Sequence, residues 1–470
     1  MKRYIIILLI SLFQFAQLKY VNAQNCATMN MKFEADITSN CTAMVMTMVH
    51  DKRANMPYLY VANKEAGLKI YNITTVAAPN LSATIPISSI GNLEVMNISQ
   101  SGNYLYLALG NTFTNSQQAG MAIIDITTPT TPLVKDFFIV PSSGSGAGIV
   151  KVEGNYAYLG AMKSGLVILD ITDKSNIVFV SKILPDINWP VNNPNANLYN
   201  ARGMEVKNSI VYLCFDAGGI RIINCTNKST PKETGRFANT ALYQPLNLPR
   251  AYNNIVIDDT LAYVAVDYCG MEVLRIKDTS NIKLHSWWNP YNCPNNNWFS
   301  SPVHANEIYF NKSCKYAFLS TGKSDLMVVN LTNPAQPDSC NFYGGVNNNI
   351  GTWGVSSYGN QIYLSYVCSA VPFQSNFTGV KILTYTPCAN GMNTTKKNEF
   401  SISPNPANCY LRIENDYWQW NEEYEIVDLM GKRLFLGKLS NSKTEIDISH
   451  LSSGIYFLNI GNTIRRFSKI

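Results

Sequence analysis

An all-β fold is predicted for this 470-residue chain by three observations. A two-strand motif recurs seven times, its apolar residues alternate at the two-residue period of a sheet, and a turn signal closes most copies. Each copy joins an aromatic-rich strand to a second strand of the form Gly-apolar-x-apolar-apolar-Asp/Asn-apolar-Thr.

In order, the copies are YLYVA (58–62) with GLKIYNIT (67–74), YLYLA (104–108) with GMAIIDIT (120–127), YAYLG (156–160) with GLVILDIT (165–172), and IVYLC (210–214) with GIRIINCT (219–226). LAYVA (261–265) with GMEVLRIK (270–277), YAFLS (316–320) with DLMVVNLT (325–332), and QIYLS (361–365) with GVKILTYT (379–386) follow. The acidic slot falls at Asn72, Asp125, Asp170, Asn224, Arg275, Asn330 and Thr384, a period of roughly 45–55 residues that marks a repeat array. Units of this length hold four strands. Seven such units bury their faces when arranged radially, so the sequence predicts a seven-bladed β-propeller. The Asp/Asn-Thr clusters after the third strand read as turns whose side chains bond nearby backbone. They lack the acidic density of a calcium loop. The repeats resemble the LVIVD family of secreted and surface propellers, best at 165–172 and 120–132; the resemblance spans about 30–388 and implies an architecture rather than a ligand.

Two further elements flank the propeller. Residues 1–23 have a basic start, an apolar stretch from Tyr4 to about Phe15 and Ala23 before Gln24, the pattern of a secretory signal. No later segment is long and apolar enough to suggest a transmembrane segment. From about 400 a different β pattern begins, separated by Pro-Asn-Pro, Gly-Lys and Ser-Ser-Gly, and it reads as a small C-terminal β-sandwich. Pro404, Asn405, Pro406, Asp428, Gly431, Lys432, Asp447, Leu451, Gly454, Tyr456 and Lys469 resemble the type A sorting domain of the type IX secretion system of Bacteroidota. That resemblance implies the type IX machinery as a partner and a secreted or outer-cell-surface location reached through the periplasm. The expected organisation is signal peptide 1–23, propeller 24–388, linker 389–399 and sorting domain 400–470.

Export makes disulfides the default for the eleven cysteines. The segment 31–36 looks like an outermost strand with no blade of its own, while blade 7 stops after three strands, so the N-terminus is expected to complete that blade. Cys26 would then meet Cys388, and Cys41 would meet Cys368. Blade register also pairs Cys269 with Cys293 and Cys314 with Cys340. Cys214 and Cys225 occupy apolar strand slots and read equally well as buried thiols.

A formal net charge of +6, three of it from Lys2, Arg3 and Lys19, argues for no nucleic acid as partner. No nucleophile, metal or phosphate motif occurs, and neither metal nor cofactor is expected. Glu94, Gly148, Arg202, Asn253, Asn306 and Trp353 align at one level near the channel mouth. Arg202 stands out because a guanidinium fork suits carboxylates and sulfates. Long connections at 186–200, 238–250 and 286–303 add Trp287, Trp288 and Trp298 among many asparagines, a mixture suited to a glycan or protein ligand. The sequence therefore favours a noncatalytic, exported binding propeller. The alternative is an extracellular polysaccharide lyase or hydrolase using His304, Arg202 and His50.

Overall fold

The computed structural model describes residues 29–114, 117–242, 252–293, 301–345, 350–370, 373–386, 401–414, 423–428, 432–439, 443–460 and 463–470. The expected signal peptide, Cys26, Cys388, Trp298, the linker and Gly431 lie outside the described residues. The chain divides into two compact units, Met1–Ala389 and Asn390–Ile470.

In the first unit the repeat becomes seven four-stranded antiparallel sheets. Blade 1 runs outward through Thr47–His50, Tyr58–Ala62, Leu68–Asn72 and Asn80–Ile85. The innermost strands of the other blades are Val95–Ser101, Ile149–Glu153, Gly203–Lys207, Tyr252–Asp258, Ile308–Asn311 and Thr352–Tyr358. Each touches the next, and the last touches the first, so the ring closes. The central strands of a blade are covered on both faces, which is why their apolar residues run almost without interruption. A separate buried cluster sits at each of the seven blade-to-blade junctions. Each blade thus depends on its neighbours for burial.

The glycine that opens the third strand has a steric cause. Gly67, Gly165, Gly219 and Gly270 have φ between +77° and +81°, and a Cβ there would lie 2.1–2.4 Å from a carbonyl oxygen of the fourth strand. Only glycine takes that backbone and that approach together. Blade 6 places Asp325, φ +63°, in the slot. It fits because the facing residue is Gly344, where a Cβ would stand 2.7 Å from that of Asp325. The Asp/Asn-Thr signals are turns: Asn72, Asp125, Asp170, Asn224 and Asn330 each accept the amide of the Thr two residues on at 2.8–3.0 Å.

Blade 7 closes as the sequence indicates. Met31–Thr38 pairs antiparallel with Gly379–Tyr385 as the outermost strand. Thr384 donates to Glu34 at 2.5 Å and Asn341 of blade 6 donates to the Met29 carbonyl at 2.6 Å. Disulfides join Cys41 to Cys368 and Cys269 to Cys293. Cys314 and Cys340 are also disulfide-bonded, whereas Cys214 and Cys225 are buried free thiols.

In the second unit, Ser401–Ser403, Tyr410–Glu414 and Lys443–Asp447 form one sheet. Arg433–Lys438, Glu423–Val427, Gly454–Ile460 and Thr463–Lys469 form another. Leu411, Ile426, Leu458 and Phe467 are among the core residues that join them. Asn405 acts as a side-chain strand, donating to the Arg466 carbonyl and accepting the Ser468 amide at 3.0 Å. Pro404 and Pro406 flank it in cis. Lys432 closes a turn with Asp428, Gly454 opens a central strand, and the buried Lys469 donates to the Ile470 carbonyl.

Candidate functional site

The starts of the innermost strands converge on one mouth of the channel. Amides of Met46, Gly148, Arg202 and Asn306 donate to the last residue of the second strand in their blades, Ala62, Gly160, Cys214 and Ser320. These four hydrogen bonds put the four positions at one level. A cavity of about 240 Å³ opens there, lined among others by Met46, Gly148, Arg202, Asn253, Asn306 and Trp353. Sequence alignment therefore found most of this ring, and blade 1 contributes Met46. Glu94 does not line the cavity; it is buried against Lys64 at 3.2 Å and accepts from Asn111 at 3.0 Å.

A second ring was missed. Two residues past the second strand, Lys64, Met162, Asp216 and Gly322 adopt positive φ and bridge to the next blade's first strand at Val95, Ala201, Tyr252 and Thr352. That turn brings Asp216 into the cavity beside Asn200, which donates to its Oδ2 at 2.9 Å. The signal was present in the register, since each of these residues follows the aromatic strand at a fixed distance. Asp267 holds the matching position in blade 5 and sits 2.6 Å from His304 Nε2.

The chemistry of the mouth is mixed. Phe113 and Trp353 meet edge to face at 5.3 Å, and the Arg202 guanidinium lies over the Trp353 ring at 5.8 Å. Burial pushes the Asp216 carboxyl up to about 6, against the opposing pull of the Arg202 charge and the Asn200 hydrogen bond. Burial also pushes Glu307 up to about 7, although its Oε2 accepts the Val355 amide at 3.2 Å. Desolvation outweighs hydrogen bonding at both sites because the charged form loses more water than these partners replace.

Asn253 and Asn306 are 5% and 4% exposed. Each spends its amide nitrogen on the next blade, donating to the Ala305 carbonyl at 2.8 Å and the Thr352 carbonyl at 3.1 Å. The remaining Oδ1 atoms are buried without a hydrogen-bond partner among the described residues. Reversing either amide would set oxygen against oxygen, so the orientation follows from the network.

Three expected site residues lie elsewhere. His50 ends the first strand of blade 1, four residues beyond Met46 and about 13 Å along an extended chain. It stacks on Tyr358 at 3.8 Å and does not line the cavity that His304 lines. Trp287 and Trp288 do not belong to a ligand-facing loop; they end the outer strand Lys283–Trp288. Trp288 is 4% exposed and donates to Ser339 Oγ at 2.8 Å, while Trp287 donates to the Cys269 carbonyl at 2.8 Å. The strand pairs with Met271–Arg275 as far as Trp288, with the bulge opposite Val273/Leu274 that recurs at this place in blades 1–6.

Family models match the chain in two places. The LVIVD repeat matches residues 94–138 and 144–184, and the secretion system C-terminal sorting domain matches residues 401–469. Among solved structures, the chain is similar to the WD40 repeats of RRP9, with a TM-score of 0.53 at 10% identity over 76% of this chain and 100% of that one. U3-55K gives a TM-score of 0.50 at 10% identity over 77% and 99%. At such identities the likeness is one of fold. No curated protein matches the chain. Among the described residues, no helix is long and apolar enough to cross a membrane, and no cluster of ligands is suited to a metal ion.

Proposed function

From a chain that carries LVIVD repeats and a type IX sorting tail, we propose an exported, noncatalytic propeller that binds a carbohydrate ligand in the mouth cavity. The tail directs the propeller out of a bacterium of the Bacteroidota to the surface or the medium, and the cavity does the work there. The observation that carries the reading is the pairing of the Phe113 and Trp353 aromatic faces with polar residues such as Arg202, Asn97 and Asn254 around one small cavity. Sugars present apolar C–H faces and hydroxyl donors together, and such a wall meets both.

Binding of the full chain to an array of bacterial and host glycans tests this. Trp353→Ala should lower retention at least tenfold while the melting temperature holds. Retention unchanged by that substitution would remove the cavity from consideration. The lyase or hydrolase reading draws on Asp216 and Glu307, two carboxyls poised near neutrality beside His304 in the same cavity. Release of new reducing or unsaturated ends from bound polysaccharide would establish it in place of simple binding.

A further inference from the structure

We infer that the mouth cavity recognises an N-acetylated amino sugar, whose acetamido group bridges Arg202 and Asp216, its carbonyl taking the guanidinium donors and its N–H meeting the carboxylate. This rests on the carbohydrate reading above and narrows it to one substituent.

Arg202 and Asp216 belong to the same blade and stand at neighbouring points of the rim. The Arg202 amide donates to the Cys214 carbonyl at 3.1 Å, two residues before Asp216, and Asn200 Nδ2 donates to Asp216 Oδ2 at 2.9 Å. The two side chains feel each other's charge, since Arg202 pulls the Asp216 carboxyl down against burial, yet they form no ion pair. Other inward charges meet their opposites directly, Lys64 with Glu94 at 3.2 Å and Lys151 with Glu205 at 3.0 Å. Between Arg202 and Asp216 a gap wider than an ion-pair contact is left open.

Both sides of that gap can be reached from the cavity. Asp216 Oδ1 and the Arg202 side-chain nitrogens make no hydrogen bond among the described residues, and they are not among the buried unpartnered atoms, which include Asn253 Oδ1 and Asn306 Oδ1. Both residues line the cavity. A donor edge and an acceptor edge therefore face one opening.

A group that fills this gap presents an acceptor to Arg202 and a donor to Asp216. A secondary amide does so with C=O and N–H on opposite sides, and each bond is strengthened by the charge on its protein partner. The amide is neutral, so it leaves the Arg–Asp charge balance intact. A carboxylate would meet Arg202 and repel Asp216, and an ammonium would do the reverse. A single hydroxyl satisfies both only from one atom and brings no apolar part. The acetamido methyl has apolar surface to meet: Met162 and Ile149 line the same cavity. A Cβ at Gly148 would stand 3.2 Å from the Met162 sulfur and 3.2 Å from the Arg202 carbonyl oxygen, which places that adaptable thioether at the foot of Arg202. At about 240 Å³ the cavity is smaller than the ~300–1,000 Å³ of drug-sized pockets, so it takes one ring or one chain end.

Titration calorimetry on the full chain at pH 7 decides the matter with matched oligosaccharides that end in an N-acetylhexosamine, the free hexosamine or the plain hexose, and with a blocked tripeptide as a second amide. The N-acetylated sugar should bind at least tenfold more tightly than each of the other three. Asp216→Asn keeps the left-handed backbone at φ +52° and, with its oxygen held by Asn200, turns an N–H toward the cavity. That variant should cut the preference for the acetamido sugar over the hexose to less than twofold. Equal binding of the N-acetylated and plain sugars overturns the inference and leaves the carbohydrate reading standing. Tighter binding of the free amine, or a tripeptide that binds as tightly as the N-acetylated sugar, overturns the acetamido assignment. A tenfold preference that survives Asp216→Asn overturns the bridge. Failure of all three sugars overturns both readings. Should Asp216→Asn not fold, the ratios measured on the parent protein still decide.

Discussion

The Arg202 guanidinium lies 5.8 Å from the centre of the Trp353 ring, although Arg202 begins near the inner edge of blade 4 and Trp353 belongs to the inner strand of blade 7. Residues three blades apart thus meet across the mouth of the channel, within one cavity. A ring closed by one N-terminal strand holds that geometry, because any opening at blade 7 would carry Trp353 away from Arg202. The seam of the propeller and its candidate site are in this way mechanically linked.

Trp288 illustrates how a residue with the right chemistry for binding can serve folding. Its ring is 4% exposed within the cluster between blades 5 and 6, and its Nε1 donates to Ser339 in the neighbouring blade. Trp288→Ala should destabilise the propeller by about 3–5 kcal/mol, as expected for deleting a large buried aromatic. Chemical denaturation should report that loss, while glycan retention by the folded fraction stays at the parent level. A fall in retention without a fall in stability would return Trp288 to the binding surface.

The limits of sequence reading are visible in these same residues. The repeat was legible because a steric demand recurs at one slot: glycine at positive φ under a carbonyl, seen at Gly67, Gly165, Gly219 and Gly270. The orphan strand, read at 31–36 and found at Met31–Thr38, was legible because blade 7 was one strand short. The level of Arg202, Asn253, Asn306 and Trp353 followed from register alone. What was hidden depends on partners far apart in the chain. That Asn253 and Asn306 lose their nitrogens to the next blade, and that Arg202 lacks a partner while Lys64 has one, are facts of packing across a ring. That the outer strand of blade 5 runs on to Trp288 leaves no local mark in the alternation.

Asp325 offers a pH test with a definite sign. Its carboxyl stands in the glycine slot at φ +63°, accepts from Tyr366 and Thr352 at 2.7 Å through Oδ1, and leaves Oδ2 without a hydrogen-bond partner among the described residues. Burial pushes it up to about 6 in the fold, from an ordinary value of 3.8. Between those values the folded state holds more protons than the unfolded one, so stability declines as pH rises from about 4 through 6. Asn tolerates the left-handed backbone, keeps the Oδ1 acceptor and carries no charge. Asp325→Asn should therefore be more stable than the parent at pH 8, by on the order of 2 kcal/mol, and equal to it near pH 4. Thermal melts across pH 4–8 provide the check, and a variant equally or less stable at pH 8 would show that the buried charge is not what limits this site.

The seam gives the last test. Cys41 and Cys368 are 327 residues apart in sequence, and their bond ties the segment entering blade 1 to the hairpin of blade 7. Breaking it releases nearly the whole propeller loop in the unfolded chain. In the chain-entropy view, closing a loop of that length contributes about 6 kcal/mol. The Cys269–Cys293 bond closes a loop of 24 residues inside one blade, for which the same view gives about 3 kcal/mol. Replacing Cys41 and Cys368 with Ser should thus lower the denaturation midpoint at least as much as replacing Cys269 and Cys293. Since the seam positions Trp353 opposite Arg202, the first pair should also weaken sugar binding while the second leaves it intact. Calorimetry on the two double variants measures both effects, and identical binding by both would separate the seam from the site.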